Sequence, residues 1–128
     1  MPPPKVVDLR PSQTDKSGVD MEKLSFSLNP GANMMLATFD GKAWSAVRNV
    51  PFGTIAVDPG AHVFHYGGAA FEGAKARMGS DGVVRILDPV ANANRFASSL
   101  TNLGMTPVPV DKFVDATLKA VSLNKSYI

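Results

Sequence analysis

A chain of 128 residues with 45% hydrophobic content has the length and composition of one compact domain with a core. Thirteen basic residues against eleven acidic ones leave a net charge of +2, too small and too evenly spread for nucleic acid or an anionic membrane to be the main partner. The absence of cysteine excludes disulfides, thiolate metal sites and cysteine nucleophiles. No run approaches the roughly 20 apolar residues of a membrane span. The first fourteen residues carry prolines and an Asp where a secretory signal would need an apolar stretch, so the expected location is the cytoplasm unless the protein is imported.

Residues 1–31 mix Pro, Ser, Asp and Lys with short apolar pieces such as Leu24, Phe26 and Leu28, the pattern of an arm ahead of a domain over 32–128. Met34–Phe39 and Lys42–Val47 flank Asp40-Gly41, a pair suited to positive φ in a two-residue turn, which predicts a hairpin. Residues 61–73 predict a short, uneven helix carrying His62, His65, Tyr66, Phe71 and Glu72 and broken by Gly67-Gly68. Residues 74–78 and 83–87 flank Gly79-Ser80-Asp81-Gly82 and predict a second hairpin.

Asp88 is placed as an N-cap with Pro89 at the first helical position, and Phe96, Leu100 and Leu103 recur at helical spacing, so a helix is expected over 89–103. A second helix is expected over about 110–125, with Asp111 in its first turn and Phe113, Val114, Leu118, Ala120 and Val121 on one broad apolar face. Ser126-Tyr127-Ile128 looks like the opening of a further strand, and the expectation is a chain cut off before its next domain. The fold class is α+β: an antiparallel sheet built from hairpins, with two amphipathic helices packed on one face.

Few residues assemble into catalytic constellations. His62 and His65 are three apart, but a metal site needs a third ligand and Glu72 lies beyond a glycine break, so no metal site is assigned. Gly67-Gly68 lacks the companions of a nucleotide or phosphate loop, and close backbone approach suffices to explain it. Arg95 lies beside Phe96 on the helix expected to meet the sheet, where a permanent charge calls for an anion or a carboxylate, although its position alone favours an ordinary surface arginine.

Read together, these residues acquire a pattern. His65-Tyr66-Gly67, then Phe71-Glu72-Gly73 and Lys75-Ala76, followed by Asp81-Gly82, Asp88-Pro89, Asn92-Ala93-Asn94-Arg95 and Met105-Thr106-Pro107, stand in the order and spacing of the branched-chain amino acid aminotransferases. Residues from about 34 to 128 resemble the N-terminal small domain of that family. Gly68-Ala69-Ala70 and Ala74 depart from it, being smaller than is usual there, and leave the pocket width open. The D-amino acid aminotransferases and aminodeoxychorismate lyases share the fold but not this spacing.

The resemblance implies a fold-type IV enzyme that holds pyridoxal 5'-phosphate between a small and a large domain. It implies a homodimer acting on amino acids and 2-oxo acids, transferring an amino group between leucine, isoleucine or valine and 2-oxoglutarate. Arg95 matches the arginine that contacts the cofactor phosphate, a role suited to a planar fork of donors. Tyr66, Phe71 and Gly73 match positions around the substrate side chain, the tyrosine entering from the neighbouring subunit. Each has a core-packing alternative, Phe71 foremost. No residue of this chain takes a catalytic role by the resemblance, because the lysine that links to the cofactor and the acidic partner of its ring nitrogen belong to the large domain. Alone, residues 1–128 are therefore expected to be inactive. A rival reading is a non-catalytic dimerisation or ligand-binding module with the same fold.

Overall fold

The computed structural model describes residues 31–128. The expected arm over 1–31, with its Leu24, Phe26 and Leu28, lies outside the described residues apart from Gly31. The described elements follow the order β1 (Asn33–Leu36), β2 (Arg48–Pro51), α1 (His62–Tyr66), β3 (Ala76–Met78), β4 (Val84–Ile86), α2 (Pro89–Asn102) and α3 (Val110–Leu123), with a 3-10 turn at Lys125–Tyr127.

β1 and β2 pair antiparallel, with Asn33 opposite Pro51 and Leu36 opposite Arg48. The hairpin closes around Asp40-Gly41 as expected, but not by a two-residue turn. The bridge nearest the tip joins Phe39 to Trp44, and the Asp40 carboxylate accepts hydrogen bonds from the N–H groups of Lys42 and Ala43, each at 2.8 Å. A side-chain acceptor thus replaces the second positive φ, and only Gly41, at φ 94°, enters the left-handed region. Between the tip and the ladder, four steps on the second arm stand against three on the first, so one residue of the 45–47 segment is extra, as in a bulge.

α3 and the residues flanking it hold this hairpin at both ends. At the strand start, Asn124 accepts from the Asn33 N–H at 3.0 Å and donates to the Asn33 carbonyl at 2.9 Å, pairing like a ladder residue. Gly31 lies so near that a Cβ there would come within 2.5 Å of Asn124 Oδ1, so any larger residue would have to push the Asn124 side chain aside. At the tip, Lys112 Nζ donates to the Ser45 carbonyl at 2.7 Å, and Trp44 Nε1 donates to the Pro107 carbonyl at 3.0 Å. Lys112 is therefore only partly exposed. Lys119 pairs with Asp115 one turn away on the exposed side.

α2 begins as its sequence dictates. Asp88 accepts from the Ala91 N–H at 3.0 Å, with Pro89 in the first turn where no donor is missed. It ends one residue earlier than expected: Gly104 takes φ 69°, its N–H bonds to the Thr101 carbonyl, and the Met105 N–H reaches back to Leu100. Leu103, expected on the apolar face, therefore falls outside the helix and is 56% exposed. Ala93 and Leu100 are the buried residues, and the Phe96 and Phe113 rings meet at 5.2 Å where α2 crosses α3.

Three further expectations are corrected. The two hairpins do not merge into one sheet; among the described residues each remains a separate two-stranded ladder, and α3 packs on the first. The segment over 61–73 is helical only as α1, stopped by Gly67 at φ 61°. Lys125–Tyr127 continue from α3 as a tight turn rather than opening a strand, the Tyr127 N–H bonding back to the Asn124 carbonyl. A local backbone bond satisfied within the chain removes the need for a strand partner.

Candidate functional site

The irregular loop between α1 and β3 crosses the first turns of α2, and one carboxylate joins them. Glu72, whose side chain is only 6% exposed, receives Arg95 Nε on one oxygen at 2.8 Å and Arg95 Nη2 on the other. Asn92 Nδ2 donates to the same carboxylate at 3.0 Å and to the Gly73 carbonyl at 3.0 Å, and the Gly73 N–H closes onto Glu72 Oε1 at 2.9 Å. Asn92 and Arg95 are three residues apart, so one face of α2 presents both to the loop.

The fork of hydrogen bonds from Arg95, aided by Asn92 and the Gly73 N–H, pulls the Glu72 carboxyl from its ordinary 4.5 down to about 2. The same contact raises the Arg95 guanidinium. Because the folded value lies below the unfolded one, the stabilisation from this tie is complete above about pH 4.5 and drains away as pH falls toward 2. Side-chain carboxyl shifts followed by NMR should show Glu72 ionised at pH 4; a midpoint near 4.5 would mean the tie does not form.

The sequence left open whether Arg95 meets an anion or a carboxylate, and the structure supplies the carboxylate. Its side chain is nevertheless 66% exposed, with Nη1 and one N–H of Nη2 making no hydrogen bond to the described residues. The donor set left over is that of a planar cation with one occupied edge and one open edge, which fits a phosphate oxygen pair in charge and geometry.

Of the other residues singled out by sequence, Gly73 is brought to Arg95 through Glu72 and Asn92, and a Cβ on it would meet nothing within 4 Å. Phe71, its neighbour but one, is 92% exposed, which rules out core packing within the described residues. Tyr66, at the end of α1, is 80% exposed and lies 5.2 Å, ring to ring, from His62. No hydrogen bond joins Tyr66 to the Arg95 guanidinium, whose donors go to Glu72. His65 donates through Nε2 to the Pro59 carbonyl at 2.7 Å, and among the described residues no three His, Asp or Glu side chains gather. Sequence reasoning missed Glu72 and Asn92 as partners of Arg95; the three-residue spacing of Asn92 and Arg95 was the available signal.

A separate apolar cavity of about 180 Å³ opens between the first hairpin and α3, lined by Met35, Trp44, Val47, Val108 and Phe113 among others. It contains none of these polar groups.

No protein-family model matches the chain. Comparison with characterised proteins gives long alignments. The chain is 34% identical over 120 residues, 91% of its length, to branched-chain-amino-acid aminotransferase 6 of Arabidopsis thaliana. It is 31% identical over 95% of its length to a probable branched-chain-amino-acid aminotransferase of Streptomyces coelicolor. Branched-chain-amino-acid transaminase 1 of Bacillus subtilis is 34% identical over 70% of the chain. These similarities define an aminotransferase-related α+β chain. It belongs to the branched-chain amino acid aminotransferase family, and it spans about a third of the length of the first two relatives, 34% and 35%, and 25% of the third.

Proposed function

We propose that this chain forms the small domain of a pyridoxal phosphate-dependent enzyme that moves an amino group between leucine, isoleucine or valine and 2-oxoglutarate. The observation that carries this reading is the open edge of Arg95, a residue of α2 held by Glu72 beside the exposed Phe71. The names of the relatives support the reaction class.

In this reading Arg95 grips the cofactor phosphate through its unoccupied edge. When bound, the cofactor supplies an electron sink that lets a proton leave the substrate α-carbon. Phe71 offers an apolar wall, and Gly73 leaves room beside it for a branched aliphatic side chain. Tyr66 reaches the pocket of a second copy in a homodimer, which accounts for a tyrosine with so little cover in its own chain. The lysine that binds the cofactor and the acidic group that keeps its ring nitrogen protonated come from the large domain, and none of Lys75, Lys112, Lys119 and Lys125 takes that place. We place the enzyme in the cytoplasm unless it is imported.

The test is amino-group transfer by the protein that carries this chain, with leucine and 2-oxoglutarate, before and after stripping the cofactor. Glutamate should form only when pyridoxal phosphate is restored. A folded, dimeric protein that forms none would turn the assignment to a non-catalytic assembly module.

A further inference from the structure

Arg95 has a long, flexible side chain that is two-thirds exposed, and its guanidinium's hydrogen-bond partner among the described side chains is Glu72 alone. Glu72 is the reverse: almost wholly covered and fixed by three different groups, the Arg95 fork, Asn92 Nδ2 and the Gly73 N–H. The fixed member of the pair therefore sets the place of the mobile one. Taking as its basis the reading of Arg95 as the phosphate ligand, we infer that Glu72 is a positioning residue: it holds the Nε/Nη2 edge of Arg95 so that the opposite edge stands ready for a phosphate, with Asn92 bracing it from the same helix.

Two opposing effects make the inference testable by sign. Glu72 carries a negative charge beside an anion site. Coulomb repulsion over about 6 Å in a water-like medium would weaken binding of a phosphate carrying one to two charges roughly three- to tenfold, so charge alone predicts tighter binding once the carboxylate is neutralised. Pre-organisation predicts the opposite. A free arginine must give up side-chain rotamer entropy on binding, worth up to about thirtyfold in affinity, and a carboxylate that has already fixed it removes most of that penalty. The larger effect is pre-organisation, so losing Glu72 should weaken phosphate binding although it removes a repulsive charge.

A general loosening of the loop would affect every ligand alike, whereas loss of positioning affects only ligands that bear a phosphate. The experiment therefore compares pyridoxal 5'-phosphate with pyridoxal, titrated by absorbance into the cofactor-stripped protein that carries this chain, for wild type, Glu72→Gln, Asn92→Ala and Arg95→Ala. The quantity read is the affinity ratio of the phosphorylated over the unphosphorylated ligand. Glu72→Gln should lower that ratio about three- to tenfold. Asn92→Ala should lower it about twofold, and in the Arg95→Ala background, where only the charge effect is left, Glu72→Gln should no longer lower the ratio but raise it, up to about tenfold.

A ratio that rises or stays level in folded Glu72→Gln, while Arg95→Ala lowers it, overturns the positioning role and leaves the phosphate role of Arg95 standing. A ratio unmoved by Arg95→Ala overturns the underlying reading itself. Should Glu72→Gln fail to fold by circular dichroism, Asn92→Ala decides: a lower ratio supports positioning by Glu72, and an unchanged one refutes it.

Discussion

Replacing Arg95 by alanine in the protein that carries this chain should weaken retention of pyridoxal phosphate roughly ten- to a hundredfold, the loss expected for one charge-assisted, paired contact to a phosphate. The side chain is mostly exposed, so the cost to the fold falls on the lost tie to Glu72, and the domain should stay folded with lower stability. Arg95→Lys should recover only part of the affinity. An ammonium restores the charge but cannot grip Glu72 along one edge and a phosphate along the other, as a guanidinium does. Equilibrium dialysis with absorbance detection, with circular dichroism as the folding control, reads the effect. Unchanged retention in folded Arg95→Ala would reduce the residue to a loop-to-helix tie.

The second large effect concerns packing. Leu100→Ala should cost about 2 to 4 kcal/mol, because it truncates one of the buried side chains of α2, 7% exposed. Leu103→Ala, three residues on, should cost well under 1 kcal/mol, since that side chain is already more than half in water. Helical periodicity treats the two leucines as equivalents; the Gly104 stop separates them. Urea denaturation followed through the helical signal should show a large shift in midpoint for the first and almost none for the second. Equal shifts would mean that α2 runs on through Leu103 and buries both.

Much of the local structure was legible because it depends on few residues. Asp88-Pro89 determines where α2 starts, since a side-chain acceptor and a missing donor both suit a helix entrance. Asp40-Gly41 determines where the first hairpin turns, although the turn type depended on the Asp40 carboxylate capturing two backbone donors, which spacing alone does not specify. The family pattern from His65 to Pro107 was likewise in the sequence, and with it the relationship to branched-chain aminotransferases.

What remained for the tertiary structure was every choice among partners. The strand patterns gave two hairpins but not whether their edges would join, because an edge offers the same unpaired N–H and C=O groups to any neighbour. Ser126-Tyr127-Ile128 has a strand-like composition, yet a tight turn satisfies its backbone within three residues. Above all, residue types alone left Arg95 two candidate partners, an anion or a carboxylate, with nothing to rank them. A carboxylate 23 positions away is invisible to any local pattern, and only the crossing of the 67–75 loop over α2 brings Glu72 onto the guanidinium. Charge is written in the residue types, but which edge of an arginine is occupied and which stays open is decided by packing.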